Sequence, residues 1–302
     1  MAWAKFILLS LCCLMCSAYN IHESCNDIEE DLKTSVESAM KMAQEASDLL
    51  AENNAHAKQL SSYFFSASDL GVVMSVYDNV QNFREFGKED TDDWVQPTIY
   101  CDTARWTKRV EVQEDESAQW VLHHENGAIS PYREWYQGCH DTRTTAAFRA
   151  GSTDASGKVT MNEITLCPWY LAVLKKSPWK DLEGLPGQAA VKSWDPSRLP
   201  SEMDPQADVW ATRLDSVLLH EFTHALPDYA YRTTDYAYRW KPCTDAEKRA
   251  RMCMNADSYA IFAVGSRIIK NFKHTFDKYG NLVYLKKVTA RAVQMVSQVW
   301  NA

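Results

Sequence analysis

The sequence of 302 residues contains little glycine and little proline, ten of each, which excludes a collagen-like or low-complexity chain. It also lacks an excess of basic residues, because 32 Lys and Arg stand against 40 Asp and Glu. A nucleic-acid-binding protein normally has a basic face, so this acidic balance disfavours that class of partner. No Asn-x-Ser/Thr sequon occurs, and N-glycosylation is not expected. The 46% of hydrophobic residues instead predicts a globular protein with a substantial core.

The N-terminus carries the longest apolar segment of the chain. Lys5 precedes a predominantly apolar run over residues 6–15, and small residues follow up to Ala18. This pattern is typical of a signal peptide over residues 1–18, and an apolar core of about ten residues is too short to span a bilayer. No later stretch approaches eighteen uninterrupted apolar residues. We therefore expect a secreted, extracellular protein without a membrane anchor after signal cleavage.

Six of the nine cysteines follow the predicted signal peptide, and an even number in an exported chain predicts three disulfides. They are Cys25, Cys101, Cys139, Cys167, Cys243 and Cys253. Six cysteines allow about 15 pairings, so the residues alone leave the connectivity open. Zinc binding by Cys139 and Cys167 is disfavoured, because no CxxC spacing accompanies them.

Residues 19–302 contain no internal repeat and no low-complexity linker, so we expect a single domain. Apolar and polar periodicity predicts four helices, over residues 26–54, 57–65, 208–223 and 244–278. Segments rich in β-branched and aromatic residues predict strands between residues 97 and 129, and residues 159–171 predict a strand that runs into a turn at Cys167-Pro168. Helices at both ends with a modest sheet between them indicate an α+β fold.

Residues 220–224, HEFTH, form an HExxH motif. His220 and His224 are four residues apart, so on a helix both imidazoles can reach one Zn²⁺ ion. Glu221 can then accept a proton from a water molecule on the metal. An apolar stripe that includes Leu218 and Phe222 predicts that the motif lies on a buried helix. The alternative is a pair of core histidines with a capping glutamate.

A catalytic zinc site requires a third protein ligand. A metzincin motif is excluded, because Pro227 and Ala230 stand where its glycine and third histidine belong. A thermolysin-like site would use a downstream glutamate such as Glu247, but no supporting pattern surrounds it. Asp228 and Asp235 remain. Asp228 is too close to the motif for the chain to fold back across a metal, whereas Asp235 lies eleven residues beyond His224.

Three segments resemble the deuterolysin family of secreted fungal metallopeptidases, the aspzincins. They are HEFTHA at 220–225, Asp235-x-x-Tyr238, and NADSYAIFA at 255–263. The resemblance is strongest over residues 215–263, and residues 264–302 would form a C-terminal extension. It implies a zincin-like α+β metallopeptidase domain with N-terminal helices, a small antiparallel sheet and an HExxH active-site helix.

The resemblance also implies roles for individual residues. His220, His224 and Asp235 would bind one Zn²⁺ ion, Glu221 would act as general base, and Tyr238 would stabilise the oxyanion of the tetrahedral intermediate. For the cysteines it suggests the pairs Cys25–Cys101 and Cys139–Cys167, which leaves Cys243–Cys253 as the third.

Several positions depart from the family pattern. Arg232 and Arg239 replace two glycines of the segment around the third ligand, and the first replacement is expected to remove an easy positive-φ position. Asp257 would border the pocket for the residue after the scissile bond, or serve equally well as a helix-capping carboxylate. Ala260 stands where lysine-specific relatives carry a glutamate, which disfavours lysine specificity.

The sequence thus predicts a monomeric, secreted zinc metalloendopeptidase that hydrolyses extracellular proteins or peptides through a zinc-bound water activated by Glu221. The alternative is a catalytically weak or inactive zinc-binding protein for metal capture, host contact or antigenic display. The two arginines and the short interval between the leader and Cys25 favour the alternative. The intact Glu221 and Tyr238 favour the peptidase, because metal capture requires neither.

Overall fold

The computed structural model describes residues 19–84, 96–109, 119–124, 127, 129–130, 133–153, 159–177, 180–182, 205–227 and 229–285. The predicted signal peptide, Asp228 and residues 286–302 lie outside the described residues.

Helices dominate both ends of the described chain. They are α1 (Glu29–Ala51), α2 (Ala55–Phe64), α3 (Leu70–Gln81), α4 (Arg133–Tyr136), α5 (Pro168–Lys176), α6 (Gln206–Ala211), α7 (Leu214–His224), α8 (Trp240–Cys243), α9 (Arg249–Met252) and α10 (Ala256–Phe272). A 3₁₀ helix over Glu23–Ile28 precedes α1, and acidic residues in the first turn of α1 suit the positive end of its dipole.

Two of the helices predicted from the sequence are divided. The expected helix over 208–223 breaks into α6 and α7, because Arg213 has an extended backbone with ψ 155°. The helix expected over 244–278 is interrupted by the extended Asn255, and α10 ends at Phe272 because the following Lys273 has a left-handed φ of 56°. The sequence does not predict α3, α4, α5 or α8, and α5 begins directly after the expected turn at Cys167-Pro168. The helices over 26–54 and 57–65 are observed, with slightly shorter or shifted ends.

The strands are β1 (Asn20–Ile21), β2 (Thr98–Tyr100), β3 (Trp106–Arg109), β4 (Gln119–His123), β5 (Ile129–Ser130), β6 (Ala147–Thr153), β7 (Val159–Leu166), β8 (His274–Phe276) and β9 (Leu282–Tyr284). A four-stranded sheet has the order β1-β2-β7-β6, with β1, β2 and β7 parallel and β6 antiparallel to β7. This sheet is therefore mixed, whereas an antiparallel sheet was expected. Strands β3, β4 and β5 form a separate antiparallel sheet, and β8 pairs with β9.

Helix α7 carries the HExxH motif and packs against α1, α10 and the strand β6. A buried polar cluster connects the three helices. Arg267 of α10 donates through Nε to Glu45 Oε2 of α1 at 2.8 Å and through Nη1 to Ser38 Oγ at 2.6 Å. Ser38 Oγ in turn donates to Asp215 Oδ2 of α7 at 2.7 Å. These contacts fix the position of α7 along the two neighbouring helices.

The structure contains the disulfides Cys25–Cys101 and Cys139–Cys167, the two pairs that the resemblance suggests. Cys243 and Cys253 are free thiols, so the expected third disulfide is not formed. The Cys243 Sγ atom lies 3.4 Å from the carbonyl oxygen of Ala237 and 3.4 Å from the side-chain amide of Asn255. Cys243 is the last residue of α8, whereas Cys253 directly follows α9, and these polar contacts occupy the Cys243 thiol.

None of the helices in the described ranges is long and apolar enough to cross a membrane. The two disulfides are typical of proteins that fold in an oxidising compartment.

Candidate metal centre

The last two turns of α7 bring His220 and His224 together on one face of the helix. Their ring centroids lie 4.9 Å apart, and the two Nε2 atoms are 3.2 Å apart. His220 is largely buried, with 9% of its surface exposed. This arrangement is the one that the i and i+4 spacing predicts.

Asp235 completes a group of three potential ligands. Its Oδ1 atom lies 3.1 Å from His220 Nε2 and 3.2 Å from His224 Nε2. Within the described ranges, these three side chains form the one group of three or more His, Cys, Asp or Glu residues that could hold a metal ion. Glu247 is therefore not part of the group, and Asp228 lies outside the described residues.

The donor atoms suit a zinc ion. Tetrahedral zinc with bonds of about 2.0–2.1 Å places neighbouring ligand atoms about 3.3 Å apart. The three separations among His220 Nε2, His224 Nε2 and Asp235 Oδ1 are 3.1, 3.2 and 3.2 Å. Two imidazoles and one carboxylate also match the ligand types of catalytic zinc sites, which keep a fourth position open.

Both histidines are oriented by partners on the far side of their rings. His220 Nδ1 lies 2.9 Å from Asp257 Oδ1, and His224 Nδ1 lies 3.0 Å from the carbonyl oxygen of Thr233. A carboxylate and a carbonyl can only accept hydrogen bonds, so each Nδ1 carries the proton and each Nε2 presents its lone pair to the site. The sequence motif did not identify Thr233, and it suggested Asp257 only as a pocket or capping residue.

The charges of the site depend on one another. Burial opposes protonation of His220, but the hydrogen bonds that its ring donates to Asp235 and Asp257 outweigh burial and raise the histidine pKa well above its usual value. Burial also opposes ionisation of Asp235, and the hydrogen bonds of both histidines overcome it and lower the aspartate pKa. A metal ion would replace the proton between these groups, since metal ligation requires neutral histidine.

Glu221 is the buried acid of the site. Its side chain is 3% exposed, and its Oε2 atom has no hydrogen-bond partner among the described residues. Burial raises the pKa of Glu221, and the neighbouring histidines partly oppose this shift. A buried polar atom without a partner is rare in a folded protein, and the open atom suits a proton acceptor for water at the metal.

Tyr238 lies at the open side of the centre. Its side chain is 55% exposed, and its ring is nearly parallel to that of His220, with centroids 6.2 Å apart. Partial burial and the negative charge of Asp235 raise the pKa of Tyr238. The phenol therefore keeps its proton near neutral pH and can act as a hydrogen-bond donor.

The loop between His224 and Asp235 is held by Arg232, which is 9% exposed. Arg232 Nε donates to the carbonyl oxygen of Leu226 at 2.6 Å, and Nη2 donates to that of Pro227 at 3.4 Å. Arg232 is not among the positive-φ residues, so the strain expected there is absent. The strain lies instead at Arg239, whose φ is 70° and ψ is 168°.

Asn255 fixes the segment after Asp235. Its Oδ1 atom accepts the backbone N–H groups of Tyr236 and Ala237, both at 2.9 Å. Thr234 also pairs with Asn255 through an isolated parallel bridge. The segment that carries Asp235 and Tyr238 is thus attached to the start of α10.

No protein-family model matches the chain. The chain is similar to the neutral protease 2 homolog mep20 of Aspergillus fumigatus, with 44% identity over 57 residues, which are 19% of this chain and 15% of the relative. Two further neutral protease 2 homologs of Aspergillus fumigatus share 45% identity over 51 residues and 48% over 48 residues. The first of these matches covers 17% of this chain and 14% of the relative, and the second 16% and 13%. The chain is therefore similar to these fungal neutral proteases over a local region, about one seventh of their length.

Proposed function

We propose that the protein is a secreted zinc-dependent metalloendopeptidase of the deuterolysin type, with a zincin-like domain over residues 19–302. The observation that carries the proposal is the convergence of His220, His224 and Asp235 beside the unpartnered Glu221 Oε2 atom. The local similarity to neutral protease 2 homologs supports the same class of activity. Its substrates would be extracellular proteins or peptides, and it would act as a monomer.

A bound zinc ion would supply a Lewis acid, which polarises a peptide carbonyl and lowers the pKa of water. Glu221 would accept a proton from the attacking water as the new C–O bond forms. The same carboxyl group would then deliver that proton to the amide nitrogen as the C–N bond breaks. The burial of Glu221 suits both steps, because a raised pKa makes the carboxyl group a better proton carrier near neutral pH.

Tyr238 would donate a hydrogen bond to the oxyanion that develops on the carbonyl oxygen. Its phenol is protonated, lies on the exposed side of His220 and is attached to the segment of Asp235. Removal of one such donor typically lowers kcat by about 10²–10³-fold.

Casein digestion by the zinc-loaded protein and by Glu221→Gln tests the activity. We expect digestion by the wild type and almost none by the variant, with one zinc ion bound to each. Equal, negligible digestion by two zinc-loaded proteins would exclude the peptidase and favour the inactive zinc-binding protein.

The third ligand can be tested separately. Asp235→Ala removes the oxygen that lies within 3.2 Å of both histidines, so it should weaken zinc binding far more than Asp228→Ala. Zinc affinity is measured by competition with a chromogenic chelator. A larger effect of Asp228→Ala would mean that the assigned ligand is wrong.

A further inference from the structure

We propose that a surface cleft next to the metal-ligand segment is a subsite for an acidic side chain of the substrate; this inference rests on the proposed function. The cleft has a volume of about 340 Å³ and is lined by Tyr236, Glu247, Lys248, Arg251 and Met252. This volume lies at the lower end of the range of about 300–1,000 Å³ for ligand sites, which suits one or two side chains.

The cleft is attached to the metal centre through the backbone. Tyr236 directly follows the ligand Asp235, and its N–H group is fixed by Asn255 Oδ1 at 2.9 Å. Met252 and Arg251 lie in α9, which leads directly into Asn255 and α10. The lining residues therefore come from two segments that Asn255 joins, and they keep a fixed position relative to Asp235.

The lining combines an apolar floor with cationic sides. Met252 is fully buried, whereas the Tyr236 ring is 49% exposed although it is large and mostly apolar. The Arg251 guanidinium lies over this ring, with its carbon 5.9 Å from the ring centroid. A cation over an aromatic face is held in place while its N–H groups stay available to a ligand.

The cleft contains two cations, Lys248 and Arg251, and one carboxylate, Glu247. Among the described residues, neither Lys248 nor Arg251 forms an ion pair, although Glu247 lies in the same cleft. The lysines that do pair with carboxylates of this chain include Lys33, Lys175, Lys180 and Lys270. The cleft thus carries a net positive charge on a chain with a formal net charge of −8.

These properties select a carboxylate. An arginine fork binds a carboxylate through two parallel charge-assisted hydrogen bonds, and a nearby lysine adds a second positive charge. The apolar floor would contact the methylene groups of a glutamate or aspartate side chain. A substrate held at the metal centre would therefore be cleaved faster when an acidic residue lies at one fixed distance from the scissile bond.

Cleavage profiles of a mixed peptide library test this inference. The wild type, Arg251→Gln and Lys248→Gln are compared with Lys176→Gln, which removes the same charge from an exposed lysine at the end of α5. We expect Asp and Glu to be enriched at one position of the wild-type cleavage sites. Arg251→Gln should lower kcat/KM by about tenfold for peptides with Glu at that position. It should leave kcat/KM unchanged for peptides with Gln at the same position. No enrichment in the wild type, or the same loss in Lys176→Gln, would overturn the subsite.

A binding measurement distinguishes failure of the subsite from failure of the proposed function. Two fluorescein-labelled peptides differ in one residue, which is Glu or Gln at the position enriched in the wild-type cleavage sites. If the wild type cleaves nothing, the two peptides instead carry Glu or Gln at every position. Fluorescence anisotropy then measures their affinity for zinc-loaded Glu221→Gln protein, with and without Arg251→Gln. A preference for Glu that depends on Arg251 supports the subsite even without cleavage, whereas equal binding of the two peptides excludes it.

Discussion

At the scale of single residues, Asp257 connects His220, a candidate metal ligand, with the chain beyond Tyr238. One carboxylate oxygen faces His220 Nδ1, and the other accepts the backbone N–H of Arg239 at 2.5 Å. Both partners donate hydrogen bonds, so the side chain at position 257 must have an acceptor atom for each of them. The sequence could not predict this contact, because Asp257 is 37 residues from His220 and no local pattern relates them.

Asp257→Asn should weaken zinc binding although it preserves the shape of the side chain. The oxygen of the introduced amide would accept the N–H of Arg239, so its NH₂ group would face His220 Nδ1. Donation to Nδ1 favours the histidine tautomer with the proton on Nε2, which cannot bind a metal through that atom. Loss of such a supporting carboxylate typically lowers metal affinity by about 10–100-fold. Chelator competition measures the change, and Asp27→Asn on the surface is the control. An unchanged zinc affinity would show that Asp257 does not orient His220.

Arg239 is the second residue with a measurable consequence. Its φ of 70° and ψ of 168° lie in a region that is nearly restricted to glycine. Arg239→Gly and Arg239→Ala both remove the side chain, but only glycine relieves the backbone strain. We expect Arg239→Gly to be more stable than Arg239→Ala by about 1 kcal/mol in urea unfolding. Equal stability of the two variants would contradict this assignment of strain.

At the scale of elements, the residues that face one core were predictable and the pairings between distant segments were not. The periodicity of α1 and α7 is visible because each buries one face. No local signal in the sequence marks the extended backbone of Arg213 that breaks the predicted helix. The register of Asn20 with Thr98, and of Thr98 with Glu163, joins segments too distant in sequence for periodicity to detect.

The buried cluster that positions α7 predicts a large effect of Arg267→Met. The guanidinium is 1% exposed and neutralises Glu45 and Asp215, both of them buried. Removal of one member of a buried ion pair typically destabilises a protein by about 3–5 kcal/mol. Urea unfolding measures the loss, and Glu45→Gln with Asp215→Asn in the same variant should restore most of it. A loss of under about 1 kcal/mol would mean that the cluster does not hold α7 in place.

At the scale of the whole molecule, the site was more predictable than the fold. His220, Glu221 and His224 lie within five residues, so one helix brings them together. Asp235 could be selected by the length of the intervening loop, but Arg232 and Thr233, which hold that loop, could not. The disulfides were likewise predictable only in part. Two pairs agree with the resemblance, whereas the third, inferred by elimination, is absent.

The cysteine assignment can be tested on the protein that spans residues 19–302. Without reductant, alkylation in denaturant should modify two cysteines, Cys243 and Cys253. In the native state Cys253 should react first, because Cys243 is fully buried and burial raises the pKa of its thiol. Mass spectrometry of tryptic peptides identifies the modified residues. No alkylation before reduction would show that the third disulfide forms after all.

Strand β6 lies at one edge of the four-stranded sheet in the described part of the chain, and it packs against the helix of Glu221. A polypeptide can add to such an edge only in an extended conformation. Helical or tightly folded stretches of a target protein would first have to open. For a peptidase of this geometry, the rate of cleavage of a folded target would therefore follow the local unfolding equilibrium of that target. The stability of the target, as well as its sequence, would then determine where it is cut.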